Sequence, residues 1–111
     1  MAFQRGETIV CKIEVRNAET GNLTDPVTST KITIVDPAGD PAMNSGTVAV
    51  TGVVMDNDGV GLFHYNFTPN DTYDVGPPIK EVAELGKYLV RYTLDDDSIL
   101  TIEDDDFVLE E

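Results

Sequence analysis

Tryptophan is absent from the 111-residue chain, and cysteine and histidine occur once each, as Cys11 and His64. A single cysteine forbids an internal disulfide. The bridge that pins the two sheets of antibody-type domains is therefore excluded, and no oxidising compartment is required. Zinc-site spacing is missing as well. Lysine and arginine together number 7 against 21 acids, a net charge of −14. Such a surface repels nucleic acid and anionic lipid, which excludes both as partners. Basic residues stop at Arg91, while nine of the 21 acids fall between Asp95 and Glu111. This acidity reads first as a solvated, aggregation-resistant surface. Adaptation to high salt, or an edge that docks on a basic partner, are the sharper alternatives. No apolar run approaches the roughly 20 residues of a membrane helix, so membrane insertion is not expected. Met1 to Arg5 leads straight into Gly6-Glu7-Thr8 without the apolar core of a signal peptide, so synthesis without export is expected. The alternative is a domain cut from a longer secreted protein.

What is present is alternation. In Thr8 to Asn17, Ile9, Cys11, Ile13 and Val15 share one face, and Val10, Lys12, Glu14 and Arg16 the other, the pattern of a strand with one buried side. Lys31 to Val35 turns Ile32 and Ile34 inward and stops at Asp36-Pro37-Ala38-Gly39, a β-turn whose proline pre-sets φ. Thr47 to Met55 reads as a third strand, bulged at Gly52. Phe63, Tyr65 and Phe67 alternate with Leu62, His64 and Asn66. Tyr88, Val90, Tyr92 and Leu94 alternate with Leu89, Arg91 and Thr93. Ser98 to Ile102 and Phe107 to Leu109 complete the set, as one strand broken by Glu103 to Asp106. About seven short strands separated by turn chemistry predict an all-β chain, an antiparallel β-sandwich forming a single domain over residues 1–111. The stretch from Asn70 to Leu85 is long for a hairpin link. After Pro77-Pro78, the spacing of Ile79, Val82 and Ala83 predicts one short helical turn on this loop.

Three groups of residues invite chemistry. Asp56-Asn57-Asp58-Gly59 resembles the start of a calcium loop, but the fifth position is Val60 and the twelfth Phe67, where chelation needs oxygens. The same residues suit a turn between two strands, with Gly59 free for positive φ. Metal binding by Asp56 and Asp58 is left as adventitious, millimolar calcium at most. His64 lies on the face opposite the aromatic set, and Cys11 on a buried face, where a thiol is inert. An exposed strand histidine and a small core cysteine outweigh a catalytic pair. The clusters Asp95 to Asp97 and Glu103 to Asp106 stand about 17 Å apart if the intervening strand is extended, too far for one carboxylate site. They are expected at opposite ends of the sandwich. The sequons at Asn22, Asn66 and Asn70 lack a secretory context and read as chance. No catalytic residue and no cofactor are expected.

The stretches Arg5 to Asn17, Leu23 to Pro26, Thr30 to Gly39, Met55 to Pro69, Leu85 to Thr93 and Asp105 to Glu110 together resemble the small Ig-like β-sandwich proteins of tailed bacteriophages and related viruses. The likeness lies in the Gly-Glu-Thr start, the Asp-Pro before the second strand, the Asp-Pro-Ala-Gly turn, the Asp-x-x-Gly lead into an aromatic-alternating strand, the Gly-x-Tyr strand and the closing Phe-x-Leu. It covers Arg5 to Leu109. The same turns are similar to those of macroglobulin-like and bacterial Ig-like surface modules. The resemblance implies an Ig-like fold and a non-enzymatic structural protein of a virus particle, in capsid decoration or a head–tail or tail component. It implies virion localisation, other virion proteins as partners, and symmetric homo-oligomers within a particle. The alternative is an adhesion module at a bacterial or archaeal cell surface. The family's pattern lacks the long Asn70 to Leu85 insertion. Contact residues are therefore expected there, at Tyr73, Asp74, Pro77, Pro78, Ile79 and Lys80. Pro41 and Met43 are expected to join them from the Asp36 to Gly46 loop.

Overall fold

The computed structural model describes residues 2–16, 20–24, 29–77, 82–96 and 99–110. Strands follow one another as β1 (Ala2–Gln4), β2 (Ile9–Glu14), β3 (Ser29–Val35), β4 (Met43–Asn44) and β5 (Val48–Ala49). They continue as β6 (Val53–Val54), β7 (Asp56–Gly59), β8 (Leu62–Phe67), β9 (Gly86–Asp96) and β10 (Ile99–Glu110). The larger sheet has the order β1-β10-β9-β3-β6, the smaller β2-β8-β7, and β4 and β5 form a separate ribbon. Among the described residues, all strand pairings are antiparallel except β1 with β10, which run parallel from Ala2↔Val108 to Gln4↔Glu110. The chain is all-β with several antiparallel sheets, an arrangement compatible with a β-sandwich.

Alternation decides which faces meet. Ile9, Cys11 and Ile13 of β2 are buried while Val10, Lys12 and Glu14 are exposed. Strand β3 buries Thr30, Ile32 and Ile34, and β9 buries Tyr88, Val90, Tyr92 and Leu94. Phe63 and Phe67 of β8 complete the opposite layer, with Tyr65 half-buried at its margin. These side chains form one hydrophobic cluster with Phe107 and Leu109. Its densest part is aromatic. Tyr88 and Phe107 stack with ring centres 5.0 Å apart, and Phe67 leans on both at 6.2 and 6.1 Å. Phe3 meets Phe107 edge-on at 6.0 Å. Such offset and edge arrangements add to the stabilisation that area burial provides.

Several expectations change. Thr47 to Met55 is not one strand. Gly52 adopts φ +60, and the chain bends there. Val48–Ala49 consequently pairs with β4, and Val53–Val54 with β3. Buried Val50 sits at the pivot, accepting from Ile34 N and donating to Ala42 O. Asp56 to Gly59 is a strand rather than a turn, pairing with β8 through an irregularity between Asn57 and Gly59. The turn lies at Val60-Gly61, and Gly61, not Gly59, takes positive φ, +72. A Cβ there would come 2.6 Å from Val15 O, so only glycine fits. Strand β10 is continuous, not broken at Glu103 to Asp106, because Asp104 and Asp106 project to the outer face and meet Arg91 and Lys87. No helix forms among the described residues. Of the expected helical turn, Ile79 lies outside the described residues, while Val82 and Ala83 have irregular backbone. Ala83 N donates to Asn70 O, and Ala83 packs on the core. The Asp36 to Gly39 turn forms as expected, with Gly39 N donating to Asp36 O.

Candidate functional site

The side chains most suited to covalent chemistry are divided by a sheet. Cys11 and His64 belong to the paired strands β2 and β8, with His64 opposite Lys12. Alternation sends Cys11 into the core and His64 to the outer face. Burial pushes the Cys11 thiol up to about 11, and the nearby Asp105 charge pushes the same way. The Tyr92 hydroxyl donates to the sulfur and opposes that shift. Tyr92 is itself raised, by burial first and then by Cys11 and Asp105. A protonated, enclosed thiol is a poor nucleophile.

His64 is not a freely exposed strand residue. Its Nδ1 lies 2.6 Å from Asp58 Oδ2, and its Nε2 lies 3.5 Å from Asp56 Oδ2. Both acids come from β7, so the ring braces the β7–β8 hairpin from its outer side. With each ring nitrogen facing a carboxylate, neither is turned toward a common ion. No group of three ligating side chains forms a metal site among the described residues.

The two loops expected to make contacts lie side by side. Asn44 of β4 clamps the first of them to β8. Its Nδ2 donates to the Tyr65 hydroxyl at 2.9 Å and to Asn66 O at 3.0 Å, and its Oδ1 accepts from Thr68 N at 2.9 Å. Ser45 N donates to Thr68 O from the same loop. Between this loop and the 82–84 segment runs a cleft of about 330 Å³, lined by Asp40, Pro41, Met43, Val82 and Glu84 over Tyr88. Tyr88 closes the floor by donating from its hydroxyl to Glu84 O at 2.7 Å. Burial, with Asp36 and Glu84 nearby, pushes that phenol up to about 12. Pro41 and Met43 are exposed, as are Tyr73, Asp74 and Pro77. Asp74 spends one oxygen on Gly76 N, which makes it a turn residue. Pro78, Ile79 and Lys80 lie outside the described residues.

The acidic clusters are not at opposite ends of the molecule. Asp95 and Asp96 approach the tip of the β9–β10 hairpin, whereas Glu103 to Asp106 pair with Tyr92 to Leu89 in mid-strand. Arg91 grips Asp104 with two nitrogens, at 2.8 and 3.1 Å. That contact holds the Asp104 carboxyl below its usual range and raises the guanidinium. Sequence reasoning missed this pair and the Asn44 clamp. Both depend on strand register, and no motif announces them.

The fold and these surfaces define an all-β chain with antiparallel sheets around one core. Set against known proteins, it matches no family model, no curated protein and no solved structure.

Proposed function

We propose that the chain is an Ig-like β-sandwich module that acts by protein–protein contact, without catalysis, as a structural component of a virus particle. The Ig-like part is supported by strand order. β10-β9-β3 facing β2-β8-β7 corresponds to the two sheets of an Ig domain, with β6 as an additional strand beside β3. Tyr88, near the start of β9, bonds back to Glu84 O four residues upstream, the arrangement called a tyrosine corner in that fold. Val90 then stands where antibody domains carry their second cysteine, consistent with the unpaired Cys11.

The observation that carries the contact function is the division of reactive groups. Cys11 is buried on the inner face and His64 is braced outside, while Pro41, Tyr73 and Val75 stand exposed on loops and Met43 on β4. The place in a particle rests on the turn and strand resemblance of the sequence. The alternative, an adhesion module at a cell surface, calls for a cluster of exposed aromatics, and only Tyr73 offers one among the described loop residues.

The test is the composition of particles from a culture that produces the protein. Density-gradient fractions are analysed by quantitative mass spectrometry. The protein is expected to co-migrate with the major capsid protein at a constant ratio. Recovery in the cell envelope, or a ratio that drifts across the particle peak, overturns the assignment.

A further inference from the structure

The two layers are unequal, and the inequality leaves a place vacant. Five strands make the larger sheet and three the smaller. β2 ends the smaller sheet, and its far edge carries no strand among the described residues. Alternate N–H and C=O groups of β2 therefore point away from β8 with no ladder partner. Across from this edge, β10 is covered by β1 at Val108, Leu109 and Glu110 and by no strand earlier in its length among the described residues. Between the two edges runs a groove of about 440 Å³. Val10 and Lys12 form one lip, Asp105 and Asp106 the other, and Tyr92 and Phe107 lie at its base.

We propose that a partner protein lays an extended segment along the free edge of β2, as a fourth strand of the smaller sheet, and that this segment carries lysine or arginine at alternate positions. Main-chain pairing to an exposed edge supplies affinity, and alternate side chains supply selectivity. The charge arrangement specifies the occupant. On the outer face of β10, Asp104 and Asp106 are paired with Arg91 and Lys87. On the inner face, Glu103 and Asp105 have no cationic partner among the described residues. Asp105 is near enough to raise both Cys11 and Tyr92. A strand added to β2 turns every second side chain toward β10. Those side chains meet Phe107 at one end and Asp105 and Glu103 further along. The six residues Ile9–Glu14 give an edge of roughly 20 Å at about 3.3 Å per residue. A second copy of this chain does not fit. Its 7 basic residues nowhere stand two apart, and its net charge of −14 repels its own acids.

The proposal rests on the contact-module reading and not on the place in a particle. A chain present in particles that bound no such strand would leave the contact-module reading standing and remove only the added strand. The probe is an acetylated, amidated seven-residue peptide alternating lysine and valine, titrated into the full chain. Its comparator has the same sequence and charge but N-methyl groups along the pairing edge. Amide exchange locates the peptide, and fluorescence anisotropy gives its affinity. Expected are slowed exchange within Ile9–Glu14, at least tenfold weaker binding of the methylated peptide, and at least tenfold loss on combining Glu103→Gln with Asp105→Asn. Combining Asp71→Asn with Glu110→Gln removes as much charge elsewhere, at two exposed acids, and is expected to cost less than twofold. No binding, equal binding of the methylated peptide, equal loss in both double variants, or protection outside β2 overturns the proposal.

Discussion

The two halves of β10 share a partner, β9, and differ in almost everything else. From Phe107 to Glu110 the strand runs between β9 and β1, with Val108 and Leu109 paired to both, and its inward residues Phe107 and Leu109 are buried. From Glu103 to Asp106 the same strand is paired on one side and exposed, and its inward positions are acids. One strand thus serves as core at one end and as an open, charged rim at the other. The lesson is that pairing and burial are separable. Backbone pairing to β9 runs unbroken through Asp104 and Asp106, whose exposed side chains meet cations on the outer face.

Three measurements sharpen or break this contrast. The largest effect is expected from Phe107→Ala, which removes a ring in contact with Tyr88, Phe67 and Phe3. Truncating a buried aromatic costs about 3–5 kcal/mol in denaturant unfolding. A loss below about 1 kcal/mol would mean that this half of β10 is not core.

The next concerns Cys11, beneath the acidic half. Burial pushes the folded-state thiol up to about 11, above its ordinary 9.0. The folded chain therefore holds the thiol proton longer than the unfolded chain does. Stability from this group is complete below about pH 9 and is lost as pH climbs toward 11. Between those limits the parent protein should lose about 2 kcal/mol more than Cys11→Ala, whatever their difference at neutral pH. Parallel stability curves for the two would place the thiol in contact with water.

The smallest effect is expected at Asp104→Asn, since both members of the Arg91 pair are on the surface. Here the folded-state value is depressed. The contribution is present above the ordinary carboxyl range and fades as pH falls through the folded value. Thermal melts of parent and variant should converge in acid and in molar salt. A gap that persisted in salt would show that the pair is shielded from solvent.

Residues whose own chemistry sets their fate were legible in the sequence. Ile9, Cys11 and Ile13 face inward by alternation, as do Ile32, Ile34, Tyr88, Val90 and Tyr92, and the Asp36 to Gly39 turn follows from its proline and glycine. What was hidden depends on distant partners. Asp56 to Gly59 has poor intrinsic strand propensity and becomes a strand because β8 pairs with it and His64 bridges its acids. Thr47 to Met55 has good strand propensity on both sides of Gly52, yet that glycine divides it between two partners rather than merely bulging it. Ala2–Gln4 is too short to show a period and is a strand only through β10. Of the candidate contact residues, Pro41, Tyr73, Asp74 and Pro77 lie exposed on loops and Met43 lies exposed on β4. The cleft under Met43 and the groove beside β2 were not legible, because each is a space between elements far apart in sequence.

The parallel rungs Ala2↔Val108, Phe3↔Leu109 and Gln4↔Glu110 have a mechanical consequence. Tension applied outward at Ala2 and at Glu110 drags β1 and β10 past each other along their common axis. The bridging bonds are then strained together rather than peeled one at a time, and the molecule is clasped where a pull from its two ends would first be felt.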